Sequence, residues 1–343
     1  MLAGLLLTGL AACHHENRSY LLTGLHSNRE EQRSLIRLLD NRSLDTETRF
    51  AVMNQIAGNL RSGDRHNSLI YFLTTSVESN PEDPYNAYWL LMVAAAYLEN
   101  NAPRIAEYYF ERILATCPDL TVGDSSVHRI CLEHLIRIST NHEALVQHYT
   151  DLITRFSPEI NLPRSYFLLA RSYERLGEWE LAIKTYSQFL GYGRFDITIP
   201  GVPDAWEYAK RLVDYNSSAK DWTFETLDEL VAAIKGAINS YNHRALERYR
   251  AKVNFFAMSW KQEASDSNSQ VDFNMRDFMG GNRIRYNENL DASSNPNEAY
   301  LRTVGWNQYV STWYLYFRKV NFPADPEIHG RWEWAGIYYG EKL

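Results

Sequence analysis

Between Pro163 and Leu190 the apolar residues fall into two helical stripes separated by a glycine turn, a pattern that limits the fold more than any other feature of the chain. Tyr166, Leu169, Ala170 and Tyr173 stand at i, i+3, i+4 and i+7, so they share one face of a helix. Pro163 suits a first helical turn, where its missing N–H has no bond to lose. Leu176-Gly177-Glu178 interrupts the stripe, after which Trp179, Ala182, Ile183, Tyr186, Phe189 and Leu190 mark the face of a second helix. Small Ala170 and Ala182 stand where the two helices must approach closely.

The same template fits elsewhere. On Ala87 to Pro118 it places Leu90, Val93, Ala94 and Tyr97 in one helix and Ala106, Phe110, Ile113 and Leu114 in the next. Asp83-Pro84 supplies an N-cap and a first-turn proline. A weaker copy over residues 126–157 carries Leu132, Ile136, Leu145, Tyr149, Leu152 and Ile153. A degenerate pair spans 46–79 with its turn at Ser62-Gly63-Asp64, and Pro203 to Asn216 closes the series with Trp206, Ala209 and Leu212. Position by position, this arrangement resembles the tetratricopeptide repeat. Equivalent aromatics Phe110, Tyr149 and Tyr186 lie 39 and 37 residues apart, above the family's usual period of about 34, which implies lengthened loops.

The resemblance implies a tetratricopeptide-type α-solenoid over residues 29–217, in which the first helix of each pair lines a groove that holds a protein partner. The groove positions of such repeats fall on Arg164, Phe167, Arg171, Glu174 and Arg175, with His134 and Arg137 from the preceding unit. Several arginines on one face suit a carboxylate-bearing partner, while an ordinary solvated face of mixed charges is the alternative.

The N-terminus concerns location. Leu2 to Leu10 form a small, apolar run, much shorter than the roughly 20 residues of a membrane-spanning helix. It ends in Leu10-Ala11-Ala12-Cys13, which resembles the bacterial lipobox. That resemblance makes residues 1–13 a signal peptide, Cys13 the lipid-bearing residue and 14–28 a polar tether, with the protein anchored in the bacterial envelope. The positive charges usual before such a run are absent. Cys117 and Cys131 remain, either as a pair or as two separate thiols.

After a pause at Ser217 to Asp221 a new pattern begins. Thr226 and Glu229 form a capping box for a helix carrying Leu230, Ile234, Ala237, Ile238 and Tyr241, and a second helix runs from His243 to about Ala251. A Ser-rich loop, 263–270, precedes four strand-like runs at 283–287, 299–306, 311–320 and 331–339. The fold class is therefore mainly α, a solenoid followed by a smaller α+β domain over 222–343. Its element order resembles the cone of nuclear-transport-factor-2-like proteins. Trp313, Leu315 and Phe317 alternate with Tyr314 and Tyr316, so neither face of the sheet is polar and both need a cover. The second cover is the repeat domain, a partner or a ligand. Trp306, Trp313, Tyr316, Trp332 and Trp334 are the candidate ligand-binding or docking aromatics, with core packing as the alternative.

The chain is acidic overall, at −7, with 22% charged residues and no basic stripe, which argues against nucleic-acid binding. No phosphate loop, nucleophile elbow or paired Cys-x-x-Cys is present. His128, Cys131 and His134 recur every third residue, but the outer two are rotated by about 240° on a helix and cannot share an ion, so no metal or cofactor is expected. Asp272, Asp277 and Tyr286 are the polar residues available to a cavity in the cone, without the spacing that acid-base chemistry demands. Three readings follow: a non-catalytic, partner-binding lipoprotein scaffold; a small-ligand carrier or transport accessory with an aromatic cavity; and, last, an enzyme in the same cone. The first has a subtype that resembles the helical-repeat lipoprotein of outer-membrane protein assembly, from which the extra C-terminal domain departs.

Overall fold

A computed structural model describes residues 18–23, 29–41, 43–193, 198–260, 262 and 274–342. The lipobox with Cys13, the Ser-rich loop and Asp272 lie outside the described residues. Contacts divide the chain into two compact units, with the division between Phe156 and Ser157.

The first unit is a stack of helices: α1 (Arg29–Leu39), α2 (Thr46–Ser62), α3 (His66–Ser79), α4 (Asn86–Glu99), α5 (Pro103–Thr116), α6 (Val127–Ile138) and α7 (His142–Phe156). Each packs on the next in sequence order, as short connections between amphipathic helices require. Asp45 caps α2 by accepting the Thr48 N–H at 2.8 Å, and Ser126 caps α6 through Arg129. A two-strand hairpin, β1 (Thr121–Val122) and β2 (Ser125–Ser126), lengthens the α5–α6 connection. Part of the stretch read as tether is docked: Arg18–Leu21 form a 3-10 turn whose Leu21 is fully buried in the core. Arg18 pairs with Asp40 at 2.9 Å and Tyr20 meets Tyr71 edge-on at 5.0 Å. The apolar Leu21 and Tyr20 give these residues a reason to leave water that a polar tether lacks.

In the second unit α8 (Leu162–Leu176) is capped by Asn161 and ends at Gly177. Gly177 has φ +78°, a left-handed conformation that favours glycine and turns the chain into α9 (Trp179–Leu190). Next come α10 (Ala205–Ser217), α11 (Leu227–Asn239), with the Thr226–Glu229 capping box formed, and α12 (His243–Tyr249). The remaining elements are β3 (Phe256–Ser259), α13 (Met275–Met279), β4 (Arg285–Tyr286), β5 (Glu298–Val304), β6 (Thr312–Lys319) and β7 (Trp332–Tyr339). The sheet order is β3-β7-β6-β5-β4. The four antiparallel strands expected from the sequence are β4 to β7, and β3 adds a fifth that runs parallel to β7.

Both units carry one recurrent contact. Tyr88 donates to Asn54 at 3.0 Å, Arg112 pairs with Glu78 at 2.9 Å and Tyr208 donates to Glu174 at 2.6 Å, and each bond joins residues 34 apart on helices two places apart.

The sheet's two faces are covered differently. Leu301, Trp313, Leu315, Phe317 and Ile337 pack with Leu230, Ile234 and Ile238 of α11. On the other face Tyr300, Tyr314, Tyr316 and Tyr338 are covered by Phe256 and Trp260, so the chain itself supplies the second cover. Gly336 makes this possible, because a Cβ there would stand 2.6 Å from the Phe256 ring.

Candidate functional site

The residues expected to line a groove do not all face outward. Phe167 is fully buried, edge-on to Tyr186 at 5.7 Å and Phe189 at 5.2 Å, so its place is the core and not a binding surface. A large apolar ring gains more from burial than its template position gains from exposure. Arg171 is likewise engaged, bonding to both carboxylate oxygens of Glu174 at 3.2 Å. Glu174 also accepts the hydroxyls of Tyr186 on α9, at 2.7 Å, and Tyr208 on α10, at 2.6 Å. Arg171 stands over the Tyr208 ring at 5.1 Å. Burial and the bond to Glu174 push the Tyr208 hydroxyl up to about 12, so it stays protonated and donating. The Arg171–Glu174 pair thus ties three helices together and offers no free cation to a partner. Arg164 and Arg175 remain exposed on α8.

In the first unit Arg137 is exposed, and its guanidinium donates to Nδ1 of His134. The His134 ring stacks on Phe110 at 4.9 Å and 11°. Burial, and then the Arg137 charge, hold its imidazole below the ordinary 6.5, so His134 is a neutral acceptor. His128 accepts from Arg155 at 2.6 Å and meets the Cys117 carbonyl at 3.0 Å, which leaves the ring committed within the fold. No group of three potential metal ligands converges among the described residues. Cys117 and Cys131 are free thiols, the latter pushed up to about 12 by burial.

Helix α4 presents a surface that the template reading passed over. Between Asn86 and Leu98 it carries no charged side chain, and such a helix belongs in a core on all sides. Trp89, Leu90, Val93 and Ala94 are indeed buried, yet Tyr88, Leu91, Ala95 and Leu98 are only half-buried. These four lie at i, i+3, i+7 and i+10, one continuous stripe along the helix. The signal in the sequence was the uncharged run itself.

The candidate aromatics of the sheet are mostly interior. Trp306 and Trp313 are fully buried and stacked at 5.3 Å and 7°, with the Trp306 indole N–H donating to Thr303 Oγ1 at 2.6 Å. Trp334 is fully buried, edge-on to Phe255, and donates to the Gly336 carbonyl. Trp332 lies under the Lys319 ammonium at 5.6 Å. Tyr316 packs on the opposite face, beside Tyr300 at 5.2 Å and Phe256 at 5.7 Å. Of the polar candidates, Asp277 is exposed on α13, while Tyr286 accepts from Asn239 at 2.7 Å and lies under Lys235.

A carboxylate hidden from the sequence reading sits at the end of the sheet. Glu333 is fully buried and accepts from Trp222 Nε1 at 2.8 Å, Arg318 Nε at 2.8 Å and the Tyr215 hydroxyl at 3.2 Å. These partners come from α10, the segment after it, and β6. The charge is paired and accepts from three donors, an arrangement that fixes geometry in a core.

No protein-family model matches the chain, and no curated protein matches it in sequence. Among the described residues no helix is long and apolar enough to cross a membrane.

Proposed function

We propose that this chain is a non-catalytic lipoprotein scaffold of the bacterial envelope, anchored through Cys13 and binding a protein partner along the inner helices of tetratricopeptide-type repeats. The observation that carries the reading is the half-buried, uncharged stripe of Tyr88, Leu91, Ala95 and Leu98. A half-buried apolar strip on the first helix of a repeat is a surface on which a partner segment gains from leaving water. The repeat assignment is supported by the cross-helix bonds at a separation of 34 residues, the period expected of the family. The hairpin Thr121 to Ser126 accounts for the longer of the two expanded spacings, Phe110 to Tyr149. In the second unit the exposed Arg164 and Arg175 are the residues for a partner's carboxylates. The helices before the sheet, with α11 covering one face, support a cone of the nuclear-transport-factor-2-like type. Its β3 edge, parallel to β7, is this chain's own addition to that reading.

The test is site-specific photocrosslinking in bacterial envelopes, with the reactive residue at Leu91 or, as a control, at the exposed Tyr108 on α5. A discrete adduct from position 91 that is missing from position 108 is expected. Identical adducts at both positions, or none at 91, would remove the groove. Mass analysis of the mature N-terminus tests the anchor separately, and an unmodified Cys13 thiol would overturn it.

A further inference from the structure

The outer face of the sheet holds a site that neither the repeats nor the anchor explains. Trp260 lies flat on Tyr338, centroids 4.1 Å apart at 7°, and its indole N–H donates to the Gly340 carbonyl at 3.2 Å. Tyr300, on β5, is tilted 45° to Trp260 with centroids 5.7 Å apart. The ammonium of Lys342 sits between these two rings, 5.1 Å from the Trp260 centroid and 4.3 Å from that of Tyr300. It also donates to the Ser293 hydroxyl, which in turn donates to Asp291 at 2.6 Å. The Lys342 charge is among the influences that hold Asp291 below the usual carboxylate range, after its bonds to Ser293.

Two ring faces and a hydroxyl around one cation, with a carboxylate behind the hydroxyl, form the recognition set of an alkylammonium group. The walls stand without the lysine. Trp260 is fixed by Tyr338 and by the Gly340 carbonyl, Tyr300 by its strand and by its bond to Glu298 at 3.3 Å, and the Asp291 N–H donates to the Tyr300 carbonyl at 2.8 Å. Lys342 is exposed, and holding its long side chain in one rotamer costs conformational entropy. A primary ammonium is also strongly hydrated. A methylated ammonium fills the same space with less hydration to lose and more surface against the rings.

We infer that the Trp260–Tyr300 cage binds a small alkylammonium compound, with Lys342 as a built-in competitor that the ligand displaces. The inference concerns the sheet alone and stands apart from the repeat reading.

Calorimetric titration of the full chain with tetramethylammonium chloride tests it, against sodium chloride at equal ionic strength. Lys342→Ala should bind about tenfold more tightly than the unaltered protein, the factor that one well-placed cation–ring contact amounts to. Tyr300→Leu in the Lys342→Ala background should abolish the gain, and near-ultraviolet dichroism of each variant checks that the sheet is intact. The neutral isostere 3,3-dimethylbutan-1-ol should not bind. Choline chloride and phosphatidylcholine vesicles, titrated in parallel, distinguish a free solute from a lipid headgroup, and the solute should compete. A folded Lys342→Ala variant that gives no binding heat would overturn the proposal, as would equal binding of the neutral isostere or vesicle binding alone.

Discussion

Replacing Glu333 by Gln removes one charge and almost no volume, so its effect isolates what the buried carboxylate contributes. In the native protein Glu333 receives Trp222, Arg318 and Tyr215 as donors and is fully buried. The amide keeps one acceptor oxygen but turns its NH2 group toward either Trp222 or the Arg318–Tyr215 pair, all donors, and it strips Arg318 of its counterion. Breaking a fully buried ion pair from one side costs about 3–5 kcal/mol. The Arg318 side chain keeps 28% of its exposure, so water recovers part of that loss, and the expected destabilisation is about 2–3 kcal/mol.

Urea unfolding followed by tryptophan fluorescence reads this unit selectively, since all nine tryptophans except Trp89 belong to it. With a slope of about 2 kcal/mol per M, the midpoint should fall by about 1–1.5 M. Replacing both partners, Glu333→Leu with Arg318→Met, removes the uncompensated charge and should recover most of the loss. A midpoint within about 0.3 M of the native protein for Glu333→Gln would refute the reasoning. So would a double variant as weak as the single one, because the cost would then lie in packing and not in charge.

Three further outcomes are expected. Gly336→Ala drives a methyl into the Phe256 ring, with a loss of about 1–3 kcal/mol; in a Phe256→Ala background the loss should nearly vanish, which a double-mutant cycle in urea measures. Arg171→Glu sets a second carboxylate beside Glu174 and should lower the thermal midpoint, whereas Arg175→Glu, at an exposed position, should leave it within error and still weaken partner capture. Burial holds both His134 and His148 below the ordinary 6.5, with the Arg137 charge acting further on His134. The unfolded chain therefore takes up protons first as acid is added, and this part of the stability, complete above 6.5, is lost as the pH falls toward the folded values. Far-ultraviolet unfolding midpoints should drop as the pH falls below about 6.5, and His148→Gln should flatten that slope.

Helix limits were legible because local chemistry writes them. Pro163 in a first turn, Gly177 and the Thr226–Glu229 box all act where the sequence places them, whereas Asp83-Pro84 falls short of α4, whose N-cap is Tyr85. Strand β3 was not legible: Phe256–Ser259 is four residues long, does not alternate, and pairs with β7 some 80 positions away. Which side chains of α8 face outward was legible only in part. A template assigns positions but not occupants, so it sent Phe167 to the surface although an aromatic ring there packs inward. The Arg171–Glu174 pair has helical-neighbour spacing and could have been read as internal, whereas its ties to Tyr186 and Tyr208 depend on how three helices stack. Glu333 lies between Trp332 and Trp334, where alternation suggests a solvent face, and nothing local shows that Trp222 and Tyr215 arrive to cover it.

That covering changes the meaning of the pause at Ser217 to Asp221. The periodicity stops there, yet the packing continues across it. Tyr215, at the end of α10, stacks on Phe322 at 5.4 Å and on Trp222 at 6.3 Å, and Val320 and Ile328 complete the same cluster. The helices α8 to α10 and the sheet accordingly share a core. A fragment beginning at Trp222 would expose Trp222 and Phe322 and leave Glu333 without the Tyr215 hydroxyl. It should lack near-ultraviolet dichroism and a cooperative urea transition, whereas a fragment beginning at Ser157 should keep both. Cooperative unfolding of the shorter fragment at the midpoint of the longer one would show that α10 rests on the sheet without sharing in its stability.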